Sequence, residues 1–156
     1  MPSLEGRLDE VLAKISYQKK SMDFNEKSVI HGNLFGDQIL VHADQVGVVD
    51  WDDLCEGDPL YDLGRLIAHL ILLSQQDHLE EARVNPCLTG LMDGYAKTAE
   101  KPIVWNRLLW HVSVALLMRA KISALRTLHP GWIGTIPWAI EEADLILSGQ
   151  SSLVTF

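Results

Sequence analysis

The sequence predicts an α+β domain that is mostly helical. Three observations lead there. Apolar residues recur at helical spacing over most of the chain, strand-like runs are confined to residues 29–49, and 47% hydrophobic against 22% charged residues is the composition of a chain that folds. At 156 residues the chain suits a single domain spanning 1–156, long enough to bury a substantial core.

Residues 3–18 carry Leu4, Leu8, Val11, Leu12 and Ile15 on one helical face, with Ser3 in place to cap the first turn. A polar stretch follows. Val29-Ile30, Ile39-Leu40-Val41 and Val46 to Val49 then read as short strands, the last two forming a β-hairpin around Ala43-Asp44-Gln45. A second helix is expected from Pro59 to Leu73, with Asp58 as cap and Pro59 at the first position, where its missing N–H costs nothing. Residues 77–83 suggest a shorter helix broken at Asn85-Pro86 and resumed to about Thr98. Pro102 should open a long helix to about Leu128, apolar nearly all round and so largely buried, which His129-Pro130-Gly131 ends. A last helix is expected over Pro137 to Leu147, stopped by Gly149.

Thirteen basic against 21 acidic residues give a net charge of −8, which opposes binding to a nucleic-acid backbone and would favour cationic ligands. Cys55 and Cys87 form no CxxC pair and the six histidines lack zinc-ligand spacing, so free thiols in a cytoplasmic setting are the expectation. Leu63–Leu73 and Leu108–Met118 are too short to span a bilayer and are interrupted by Arg65, His69 and His111. The charged first twenty residues do not make a signal peptide. No nucleic-acid or membrane partner is therefore expected.

The chemistry concentrates in residues 29–64, VIHGNLFGDQILVHADQVGVVDWDDLCEGDPLYDLG. In order, these contain a loop of the type HGD-x-x-x-x-N, a hairpin, an aspartate at a strand end, and a GDP-x-x-D-L helix start. The stretch resembles the aminoglycoside phosphotransferase and choline kinase families and, behind them, the protein kinases. The resemblance implies the C-terminal lobe of the protein-kinase-like fold and ATP- and Mg²⁺-dependent phosphoryl transfer to a small-molecule hydroxyl, with the loop aspartate as base and two oxygen-bearing side chains holding the metal.

Carried over position by position, Asn33 stands where the base belongs, Gln38 at the amide metal ligand and Asp50 at the second metal ligand. Gln38 still has a carbonyl oxygen to offer. Asn33 cannot take a proton near neutral pH, and a positioned base is worth about 10²–10⁴-fold in rate. His31 is expected to bond nearby backbone and play an architectural part. The resemblance also implies an acid at Asp58 or Asp62 that receives loop N–H groups, Asp62 being the better placed and also able to pair with Arg65. Asp52, Asp53 and Glu56 extend the acidic cluster, either as a solvated loop or as recognition of a cationic acceptor.

Relatives also need a glycine-rich loop and a strand lysine on an N-terminal lobe. The thirty residues before His31 spell one helix and a polar link. Two readings stay open: a phosphotransferase lobe that is impaired as this chain, and a non-catalytic, pseudokinase-like binding or scaffolding module. Either leaves surface to be covered, by a second copy of the chain or by a separate N-terminal lobe.

Overall fold

In the computed structural model, residues 3–75, 81–122 and 134–154 are described. The first helix, α1 (Leu4–Lys19), starts as its cap residue dictates. Ser3 is extended, and its hydroxyl accepts the Gly6 N–H at 3.1 Å. Its apolar face carries Val11 into a small cluster with Ile140 and Ala143.

Two antiparallel ladders follow. Strand β1 (Ser28–Ile30) pairs with β4 (Cys55–Gly57), and β2 (Ile39–His42) pairs with β3 (Gln45–Val48) across a two-residue turn in which Ala43 takes a positive φ of 51°. The hairpin is the one expected. Strand β4 is not, because Cys-Glu-Gly has neither alternation nor β-propensity, and its extended state comes from pairing with a segment some 25 positions earlier. Together the ladders present two connecting segments, residues 31–38 and 49–54, beside the start of the next helix.

That helix, α2 (Tyr61–Gln75), begins two residues later than the sequence suggests. Pro59 and Leu60 form a turn instead, in which Asp58 accepts the Leu60 N–H at 2.8 Å through its side chain and the Tyr61 N–H at 3.0 Å through its carbonyl. The expected break at Asn85-Pro86 does not occur: α3 (Glu81–Thr98) runs through Pro86. Pro86 stands in the second turn, where it removes one ladder bond, and burial of Val84, Leu88 and Met92 against the core offsets that loss. Residues 77–80 lie outside the described residues.

Helix α4 (Trp105–Ile122) starts three residues after Pro102, and Ile103, in the irregular lead-in, packs onto the core. The stretch expected to extend it to Leu128, and the stop at 129–131, lie outside the described residues. It is the central helix, with α2 on one side and α5 (Thr135–Leu147) on the other; α3 backs α2 and α1 backs α5. Its buried face is not purely apolar: Arg107, His111 and Ser113 lie among Leu108, Val112 and Leu116, while Trp105 and Met118 are exposed. The α2–α4 crossing is close enough to require glycine, because a Cβ at Gly64 would stand 2.6 Å from that of His111. Gly149, at φ +68°, ends α5. No helix among the described residues is long and apolar enough to cross a membrane.

Candidate active site

The loop from His31 to Gln38 is held from below by α2. Asp62, in its first turn, accepts the backbone N–H of His31 at 2.6 Å and of Gly32 at 3.1 Å. Gly32 takes φ +80°, and a Cβ there would sit 2.3 Å from the Asp53 carbonyl oxygen, so only glycine permits this packing of loop against turn. His31 is 4% exposed; its Nε2 donates to the Val49 carbonyl at 2.9 Å, and its ring lies 4.8 Å from that of Trp51. The histidine thus ties the loop to the strand end that precedes Asp50.

The far end of the loop closes on the same strand end. Gln38 is buried; its Oε1 accepts the Phe35 N–H at 2.8 Å, its Nε2 donates to Asp50 Oδ2 at 2.9 Å, and its carbonyl accepts the Val49 N–H at 3.0 Å. Asp50 itself is exposed and left-handed, at φ 68° and ψ 54°, a conformation that aspartate tolerates better than most residues. Both partners of the Gln38 amide are of fixed type, a backbone donor and a carboxylate acceptor, so turning the amide over would break both bonds.

This bears on metal binding. Asp50 offers a carboxylate suited to a hard cation. Gln38 does not offer its oxygen in this rotamer, because that oxygen is taken by Phe35 and the N–H end faces Asp50. Among the described residues no cluster of three or more His, Cys, Asp or Glu could hold a metal.

Asn33 is half-buried, and its Oδ1 accepts a 2.7 Å hydrogen bond from Arg65. Arg65 does not pair with Asp62. It is 8% exposed, donates also to the Tyr61 hydroxyl at 3.1 Å, and lies 4.5 Å from the centre of the Phe35 ring. Arg119 of α4 covers the same ring at 3.7 Å and contacts His69 Nδ1 at 3.0 Å. Burial, reinforced by the Arg119 charge, pulls the His69 pKa down.

Asp58 belongs elsewhere and is not a loop support. Its carboxylate faces Arg107 Nε at 3.2 Å and His111 Nε2 at 3.4 Å on α4, whereas the loop N–H groups go to Asp62. Arg107 further holds Glu26 at 2.7 Å and the Asp23 carbonyl at 2.9 Å, anchoring the polar link that feeds β1. Its hydrogen bond, followed by that of Lys101, lowers the Glu26 pKa, while burial lowers that of His111 against the opposing pull of Asp58. Asp52 and Asp53 are exposed on the short turn after Asp50, and Glu56 is exposed on β4 opposite Val29.

The arrangement is a glycine-dependent loop pinned by an aspartate, closed onto a second aspartate across a hairpin. Residues 2–102 match the APH family, a phosphotransferase enzyme family, over more than half of the chain. The chain belongs to this phosphotransferase family. A solved structure of amicoumacin kinase hAmiN in complex with AMP-PNP, Ca²⁺ and Ami superposes with a TM-score of 0.69 at 12% identity, a likeness of fold that gives this APH chain a protein-kinase-like architecture. The match takes in 100% of this chain and 48% of that kinase, so the chain spans about half of its structural relative. No curated protein matches the sequence.

Arg65 and Arg107 carry more of this site than the sequence disclosed. A charged residue inside an apolar helical run was the available signal, because such a group is buried only when something holds it.

Proposed function

We propose that this chain is the acceptor-side lobe of an ATP- and divalent-metal-dependent phosphotransferase that modifies a hydroxyl of a small molecule, with catalysis attenuated at position 33. The observation that carries the reading is the loop of an APH-family chain held by Asp62 and closed onto Asp50 through Gln38. The complex of the amicoumacin kinase with AMP-PNP, Ca²⁺ and Ami supports nucleotide, divalent metal and a small-molecule acceptor.

In this reading Asp50 would hold the metal, whose charge favours phosphoryl transfer by offsetting that of the phosphates. Asp62 and His31 keep the loop in shape. Asn33 places the acceptor hydroxyl without taking its proton; as the acceptor O–P bond forms and the bond to the leaving phosphate breaks, the proton passes to a phosphoryl oxygen or to water. Asp53, whose backbone packs against Gly32, and its exposed neighbour Asp52 would draw a cationic acceptor.

The test is ATP-dependent phosphorylation of amino-sugar, choline-like and sugar acceptors by the full gene product that carries this chain, with Asn33 and with Asn33→Asp. A rise of about 10²–10⁴-fold in the variant is expected. No phosphorylation of any of these acceptors by either protein would count against this reading and favour the second, a binding module. That reading is favoured by one observation: the carbonyl oxygens of Asn33 and Gln38 are both already engaged, by Arg65 and by Phe35.

A further inference from the structure

We propose that Arg65 is the positioning residue of this site, and that it makes position 33 meet its ligand as a hydrogen-bond donor. A guanidinium can only donate, so the Asn33 atom facing it at 2.7 Å must be the oxygen, and the amide has one orientation. The Nδ2 end then points away from Arg65; among the described residues it has no hydrogen-bond partner, and it is not enclosed. What a ligand finds beside the loop is an N–H. Such a group binds a lone pair on an acceptor oxygen, whereas a base would bind the proton.

A second observation shows that the charge of Arg65 matters as well as its shape. Arg65 is 8% exposed, and its head group meets the Asn33 amide, the Tyr61 hydroxyl and the Phe35 ring. Among the described residues no carboxylate comes within ion-pair reach of it. A guanidinium hydrogen-bonded only to neutral partners, with the like charge of Arg119 on the same Phe35 ring and Asp37 acting on Arg119, is costly, and one carboxylate oxygen in place of Asn33 Oδ1 would supply a countercharge in direct contact. Arg65 therefore fixes the amide direction in this chain, and it would hold an aspartate at position 33 ionised and turned toward itself. This rests on the loop being the acceptor site of the proposed phosphotransferase, but its test requires no turnover, so failure of one is separable from failure of the other.

The experiment is a ¹³C NMR titration of the carboxyl that Asn33→Asp introduces, repeated with Arg65→Met and with Arg65→Lys. With Arg65 in place the new carboxyl should be roughly ten-fold or more stronger as an acid than an ordinary aspartate. Arg65→Met should abolish most of that difference and Arg65→Lys should restore part of it. Should the Met variant fail to fold, Arg65→Gln, a shorter polar side chain without the charge, serves instead, and the same weakening of the acid is expected. A carboxyl at position 33 that titrates indifferently to the residue at 65 would overturn the assignment.

Discussion

Replacing Asn33 by aspartate should stabilise the protein, although the change adds a negative charge to a chain that already carries −8. Asn33 Oδ1 stands 2.7 Å from a guanidinium nitrogen, and the new carboxylate would keep that contact as a charge-assisted bond. With charge centres roughly 4 Å apart, the attraction is about 4 kcal/mol at an effective dielectric of about 20. Against it stands desolvation of a carboxylate, several kcal/mol per ion at full burial and less at this half-buried position. Nothing is lost at Nδ2, which has no partner among the described residues. The balance is a gain of about 1 kcal/mol, or roughly 2–4 °C in Tm for a chain of this length. Thermal and urea unfolding at neutral pH without metal would measure it. A double-mutant cycle with Arg65→Met isolates the pair, and the gain should vanish when Arg65 is absent. A variant less stable than the parent while Arg65 is present would refute the reasoning, because repulsion from Asp50 and the other acids would then outweigh the guanidinium.

Acid should weaken the fold through its buried histidines. Burial lowers the pKa values of His111 and His69, so between the unfolded value near 6.5 and the lower folded values the unfolded chain takes up protons that the folded chain does not. Their contribution is complete above about pH 7 and is lost as pH falls; urea midpoints at pH 7.5 and 5.5 should differ less in a His69→Gln/His111→Gln variant, and an unchanged difference would count against it. Arg107→Met should cost about 3–5 kcal/mol by leaving Asp58 buried without its cation, and chemical denaturation will show whether Arg107→Lys recovers part of it. Gly32→Ala should destabilise by at least about 1–3 kcal/mol through backbone strain alone, with the contact to the Asp53 carbonyl in addition. Amide exchange at His31 and Gly32 should speed up in that variant if the loop is what yields.

The order of the main helices, the hairpin, the Ser3 cap and the loop motif are legible in the sequence, because each depends on local spacing: a 3.6-residue apolar period, a short turn, a capping hydroxyl, a motif read in one line. Boundaries shifted where distant packing competes with local preference. Pro86 stays inside a helix because Val84, Leu88 and Met92 bury on the core, and β4 exists only through its pairing with β1. The identities of Asn33, Gln38 and Asp50 could be read directly, but the direction of each amide could not, since that depends on what lies across from it. Arg65 reaches Asn33 from α2, thirty-two positions away, and turns its oxygen inward; Asp50 reaches Gln38 across a hairpin and turns its N–H outward. Likewise the resemblance favours Asp62 over Asp58, four residues earlier, as the acid that receives the loop N–H groups, and the structure agrees, but only the tertiary structure shows that Asp58 turns to Arg107 and His111. Spacing along a chain fixes which side chains share a face, but hydrogen bonds between segments far apart in sequence depend on how helices and ladders dock.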